Sequence, residues 1–290
     1  MRLVTFLQNG ESRLGALQVQ NGQELVVDLN SAEPRLPANI LEFLAAGEVA
    51  RTLAADTLQR APATAIHELK AVVLKAPIPN PGKIICIGLN YRDHAAETNQ
   101  ALPEVPVVFA KYANTIIGPG EPIILPHVTQ RVDYEAELAV VIGKRGRYIS
   151  EAEAMSYVVG YTVFNDVSAR DYQMRTSQWT MGKTFDTFAP FGPALVTTDE
   201  IPDPHALDIG LSINGETLQD SNTRHLIFSI PKLVAYLSEV MTLEPGDLIA
   251  TGTPAGVGFT RQPPRFLRPG EMVRVEIEGI GVLENPVQEE

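Results

Sequence analysis

Three times in this chain a proline, a glycine and an acidic residue stand together just ahead of an apolar run. They are Pro119-Gly120-Glu121, Pro245-Gly246-Asp247 and Pro269-Gly270-Glu271. Proline presets one turn angle and glycine accepts the positive φ of the next, so one kind of reversal is set to launch several strands. Asn21-Gly22 and Asn214-Gly215 add hairpin turns, the first between strand-like Leu14 to Val19 and Leu25 to Leu29. Met272 to Glu278 (M-V-R-V-E-I-E) alternates apolar and polar residues, as a half-buried strand does. These signals predict a β-rich α+β fold rather than an alternating βαβ array.

Helix signals are few. Asn39 with Glu42 reads as a capped start, followed by Leu41, Leu44, Val49 and Leu53 near helical spacing. Ser150 with Glu153 forms a second capping box. A third helix starts near Ser229, with Pro231 in its first turn and Leu233, Leu237, Val240 and Met241 inward. The run K-A-P-I-P-N-P-G, residues 75 to 82, concentrates proline and glycine and marks a boundary. It divides a small N-terminal domain of hairpin plus helix, residues 1–75, from a larger domain, residues 76–290.

The formal net charge is -12. Such a surface repels phosphate backbones and anionic lipid, which argues against nucleic acid and membrane as partners. It leaves room for an anionic substrate, because a few cations focused in a cleft override the global field. The lone cysteine, Cys86, lies in K-I-I-C-I-G-L and reads as a small buried strand residue. With no internal disulfide available and the first residues turning polar early, the expected location is the cytoplasm.

Five segments carry chemistry. In R-V-D-Y-E-A-E-L-A-V-V-I-G, residues 131–143, strand alternation places Asp133, Glu135 and Glu137 on one face that continues as Ala139 and Val141. A solvated carboxylate face fits this pattern. So does a pair of carboxylates at a covered rim, whose repulsion a hard cation would relieve. Asp166 ends the apolar strand Y-T-V-F-N-D and fits either a third ligand or a helix N-cap. His94 and Glu97, three apart, share one helical face, as an exposed pair or as a base with its orienting carboxylate. Lys183, in G-K-T-F-D-T-F, is either exposed or aimed at developing negative charge. T-G-T-P-A-G-V-G, residues 251–258, has the composition of an anion-cradling loop without the Gly-Lys-Ser/Thr ending of a nucleotide loop.

In this order, N-Y-R-D-H-A-A-E, F-A-K-Y with I-G-P-G-E-P-I-I-L-P, D-Y-E-A-E-L-A-V-V-I-G, F-N-D-V-S-A-R-D-Y-Q, G-K-T-F-D-T-F-A-P-F-G-P and T-G-T-P-A-G-V-G resemble the fumarylacetoacetate hydrolase family. The resemblance spans residues 84 to about 260. It implies a mixed β-sandwich roll, usually a homodimer, with Mg²⁺ or Mn²⁺ held by Glu135, Glu137 and Asp166. It makes His94 and Glu97 a water-activating dyad on a lid and Lys183 a charge stabiliser. Lys111, Gln173, Thr187 and Thr253 become substrate contacts, while Asn114 stands where many relatives carry serine. Family substrates are 2-oxo acids. The primary expectation is therefore metal-dependent hydrolysis of an acylpyruvate C–C bond through a pyruvate enolate. An oxaloacetate decarboxylase, or a decarboxylase/isomerase of 2-oxo-dienedioates, needs almost the same site. A rival of another class is a metabolite-binding or scaffold protein that does no chemistry.

Overall fold

The computed structural model describes residues 1–290. Each of the three launch turns delivers its strand: Ile123–Leu125, Leu248–Ala250 and Met272–Ile277. Asn21-Gly22 and Asn214-Gly215 are left-handed at both residues. They join Glu11–Gln20 to Gln23–Asp28 and Asp208–Ile213 to Glu216–Asn222.

The strands collect into a twelve-stranded sheet, a five-stranded sheet and one short pair, so the fold is β-rich α+β. Ten strands of the large sheet run in the order Ile66–Glu68, Gln23–Asp28, Glu11–Gln20, Arg2–Gln8, Ala189–Thr197, Val158–Asn165, Ala136–Ile142, Leu248–Ala250, Ile84–Gly88, Val107–Lys111, with Val73–Lys75 paired to Arg2–Gln8 and Ile116–Ile117 to Ala189–Thr197 off this path. The N-terminal strands thus continue the sheet of the larger part, with Arg2 opposite Val196 and Leu3 opposite Leu195. Strand Ala136–Ile142 lies deep in the sheet and every residue of it is buried. Leu138, Val140 and Ile142 join a 38-residue cluster shared with the five-stranded sheet. Ala139 and Val141 join a 23-residue cluster shared with Phe43, Leu44 and Ala50 of the N-terminal helices. Each such Leu or Val contributes roughly 2 kcal/mol of burial, which anchors this strand between the two clusters.

Three helix expectations need correction. The helix capped by Asn39 covers only Ile40–Ala45, because Gly47 at φ 65° breaks the path and a second helix, Gly47–Leu58, leaves at another angle. Val49 is therefore 79% exposed. Ser150 does donate to Glu153, at 2.7 Å, but the chain beyond it forms only a turn and the short 3₁₀ segment Ala154–Tyr157. In Ile230–Val240, Leu233 and Leu237 face the core as expected, whereas Val240 at the last position is 69% exposed. A fixed period overshoots where the helix stops.

One buried ion pair fastens the N-terminal hairpin. The Asp28 carboxylate caps helix Leu29–Ala32 by accepting from Ser31 N at 2.9 Å, and it also accepts from Arg13 Nη2 at 3.0 Å. Burial pushes this carboxyl up, but Arg13 and Ser31 outweigh burial and hold it below its ordinary 3.8. A carboxyl depressed in the folded state stabilises above its unfolded pKa and loses that contribution as pH falls through its folded pKa. Asp28→Ala is expected to cost about 2 kcal/mol near neutral pH. Denaturant titrations at several pH values should show the gap to wild type closing below about pH 4.

Candidate active site

The polypeptide leaves the sheet between Val132–Asp133 and Ala136–Ile142, so the alternation expected through residues 133–137 is interrupted. Asn165 and Asp166 of the neighbouring strand end hold the interruption in shape. Glu135 N donates to Asn165 Oδ1 at 3.0 Å, and Asp166 N donates to Glu135 O at 2.9 Å. The effect is to aim Glu135, Glu137 and Asp166 at one point. An oxygen of each lies within 4.8 Å of the others, and all three residues are buried. A solvated carboxylate face is excluded. Asp133, expected on the same face, is turned elsewhere and accepts from Arg170 Nε at 2.8 Å, Gly258 N at 2.8 Å and Phe259 N at 3.0 Å.

Three buried cations surround the carboxylates. Lys183 Nζ reaches Glu135 Oε2 at 2.8 Å and Asp166 Oδ2 at 2.7 Å. Lys111 Nζ reaches Asp166 Oδ1 at 2.6 Å and Val167 O at 3.0 Å. Arg170 Nη1 reaches Glu135 Oε1 at 2.6 Å. Burial opposes the charge of Glu135, but Lys183 and Arg170 outweigh it and hold its pKa at about 2. Lys183 is raised in the same way, burial losing to Asp166 and Glu135, whereas burial prevails at Lys111 and lowers it. Glu137 differs. Its one hydrogen bond comes from Gly252 N at 2.8 Å, and no cation pairs with it. Burial, together with Asp166 and Glu135, pushes its carboxyl well above the usual range.

This imbalance tests the fit of a metal. Three converging carboxylates without a histidine or cysteine partner are the hard oxygen donors that Mg²⁺ or Mn²⁺ takes. Glu137 is the buried carboxylate that lacks a counter-charge, and a cation in the triad supplies it. The donor set fits.

The second half of the site is helix Arg92–Glu97. His94 Nδ1 lies 3.1 Å from Glu97 Oε2. An ionised Glu97 there fixes the hydrogen on Nδ1 and leaves the Nε2 lone pair free, as a general base needs. Burial raises Glu97, but His94, Gly256 N and Thr260 outweigh it, and its pKa is lowered. Two further bonds latch the helix: Ser221 Oγ donates to Asp93 at 2.5 Å and Arg92 Nη1 donates to Leu226 O at 2.6 Å.

Residues 251–260 link the two halves. The loop cradles anions, as its composition predicts, but the anions are the protein's own. Gly252 N binds Glu137, Gly256 N binds Glu97 at 2.9 Å, and Gly258 and Phe259 bind Asp133. Two glycines are obligatory here. Gly256 sits at φ 102° and a Cβ on it would lie 2.2 Å from Leu218 O, while one on Gly258 would lie 1.8 Å from Arg265 O.

A small cavity of about 60 Å³ opens over Glu135 and Glu137. His94, Glu135, Glu137, Gln173, Lys183 and Thr253 line it together with Phe109 and Trp179. Of the expected substrate contacts, Gln173 and Thr253 are therefore brought to the cavity. Lys111 and Thr187 are not. Lys111 is committed to Asp166, and Thr187 Oγ1 accepts from Ile124 N at 2.9 Å, away from the cavity. Sequence reasoning passed over Arg170, which also lines the cavity and whose buried Nη2 has no partner. It lies inside F-N-D-V-S-A-R-D, but an arginine at a helix start carries no local sign of burial.

Comparison with known proteins adds three observations. Residues 83–288 match the family described as fumarylacetoacetate (FAA) hydrolase C-terminal. The mitochondrial oxaloacetate tautomerase of Xenopus laevis is 50% identical over 99% of this chain and 90% of its own length. Among solved structures, fumarylacetoacetate hydrolase from psychrophilic Exiguobacterium antarcticum superposes with a TM-score of 0.85 at 37% identity. Maleylpyruvate hydrolase from Sphingobium sp. SYK-6 does so at 0.81 and 32%. Both matches cover 100% of each chain.

Proposed function

The chain belongs to the fumarylacetoacetate hydrolase family, and from that premise we propose that it interconverts the keto and enol forms of a small 2-oxo dicarboxylic acid of the oxaloacetate type. The observation that carries the reading is one cavity lined by both the His94 base and the buried cations Lys183 and Arg170. His94 Nε2 takes a proton from C3, the C–H electrons form the C2–C3 double bond, and the C2 oxygen becomes an enolate. Lys183 and Arg170 stabilise that oxygen, which takes up a proton from water while His94 gives its own to water, leaving the enol and a neutral base; the reverse path delivers a proton from His94 to C3. Glu135, Glu137 and Asp166 would hold Mg²⁺ or Mn²⁺, whose charge polarises a 2-oxo acid. The 50% identity to a protein named an oxaloacetate tautomerase supports this choice.

Hydrolysis of an acylpyruvate, the primary expectation from sequence, becomes the second reading. The likeness to a maleylpyruvate hydrolase favours it. There the base would act on water, and the same cations would hold the departing enolate. The assay that separates the two follows loss of enol absorbance from oxaloacetate beside pyruvate release from acetylpyruvate and fumarylpyruvate, and CO₂ release from oxaloacetate. The expected result is enol decay accelerated at least about 100-fold over buffer. Decay no faster than buffer, with pyruvate released from an acylpyruvate, replaces the tautomerase by the hydrolase.

The reading includes a homodimer. Exposed Leu102, Val105, Val107 and Val108, running up to and along the edge strand of the large sheet, support it. No helix is long and apolar enough to cross a membrane. Cys86 is single and buried, which suits a reducing compartment, cytoplasmic or mitochondrial.

A further inference from the structure

Gln219 is fully buried on strand Glu216–Asn222 of the five-stranded sheet, yet its side chain reaches into the heart of the site. Its Oε1 accepts from Ala136 N at 2.9 Å, the peptide between ligands Glu135 and Glu137. Its Nε2 donates to Thr253 Oγ1 at 2.9 Å and to Pro254 O at 2.9 Å. Ala136 N can only donate and Pro254 O can only accept, so these two groups fix which end of the amide is which.

The orientation has a consequence for Thr253. A hydroxyl has one hydrogen, and an Nε2–H of Gln219 already occupies an acceptor position on its oxygen. No protein acceptor is bonded to the Thr253 hydrogen, and the side chain lines the cavity. The hydrogen is left for whatever the cavity holds. Lys183 and Arg170 on the same lining also carry donors without acceptor capacity.

We propose that Gln219 is a positioning residue that locks Thr253 as a hydrogen-bond donor, so that this wall of the cavity takes an acceptor oxygen of the substrate, carboxylate or enolate, and rejects a donor. The inference rests on the 2-oxo acid reading and deepens it. Removing Gln219 frees the Thr253 hydroxyl to rotate, and the cavity loses the donor that was aimed at the ligand.

The test is a double-mutant cycle read by calorimetry on Mg²⁺-loaded protein, with oxalate as a probe that presents two adjacent acceptor groups and undergoes no reaction. Gln219→Met keeps the length and apolar body of the side chain but donates nothing; it should weaken oxalate about tenfold. In a Thr253→Val background the same substitution should weaken oxalate less than twofold, because the group it acts through is gone. Thr253→Ser should retain wild-type affinity. Where Gln219→Met fails to fold, Gln219→Asn replaces it, since the shorter amide cannot span Ala136 N and Thr253 Oγ1 together. An equal loss in both backgrounds overturns the proposal and leaves Gln219 a support for Ala136 alone. Wild-type protein that takes up no oxalate overturns it outright. An intact cycle beside absent enol decay rejects the proposed reaction and keeps the role of Gln219.

Discussion

Glu137→Gln and Glu135→Gln should both abolish Mg²⁺ and Mn²⁺ binding while moving the stability of the metal-free protein in different ways. Each removes one of three ligands, and affinity should fall by at least about 100-fold, beyond what loss of a supporting residue costs. The difference lies in who is left behind. Glu135 satisfies Lys183 and Arg170 at once, so neutralising it leaves two buried cations short of a carboxylate. Breaking a buried pair in this way costs about 3–5 kcal/mol. Glu137 has no cation to abandon, and its neutral form already suits the buried site. Glu137→Gln should therefore stay within about 1 kcal/mol of wild type in chelator. For a chain of this size that contrast is about 10 °C in Tm against 2–4 °C or less. Calorimetric titration with each metal and thermal unfolding in chelator decide it. Metal binding that survives either substitution removes that residue from the ligand set.

The second large effect belongs to the base. His94→Ala should lower kcat for enol decay by about 10²–10⁴-fold with metal affinity unchanged, because His94 touches neither Glu135, Glu137 nor Asp166 through a hydrogen bond. Glu97→Gln keeps the shape of the dyad but offers an amide to Nδ1, so the tautomer is no longer dictated. It should lose a substantial part of the same factor. Stopped-flow decay of the enol, with metal content measured on the same samples, separates these outcomes from a collapsed site. Turnover unchanged in His94→Ala takes proton transfer away from the dyad and gives it to another cavity group.

Much of the fold was legible because its signals are local. An Asn-Gly pair needs only its own two dihedrals to turn a chain, and both hairpins formed where such pairs stand. The helix extents were less legible, since Gly47 redirects one helix and Ser150 caps no helix at all. The carboxylate triad shows an intermediate case. Alternation accounts for Glu137, which lies in strand Ala136–Ile142 with Ala139 and Val141, but not for Glu135, because the ladder is interrupted at Tyr134 and Glu135. Family resemblance supplied Asp166. Arg170 and Gln219 stayed invisible because their partners are remote: Gln219 meets Ala136 from 83 positions away. Thr187 is a motif residue whose hydroxyl accepts from the backbone amide of Ile124.

The 251–260 loop places a tolerance on the whole catalyst. Its amides bind Glu137 of the carboxylate triad, Glu97 beside His94, and Asp133 beside Arg170. Because one short segment bonds all three, a displacement of this loop would unpair three carboxylates on three different elements at once.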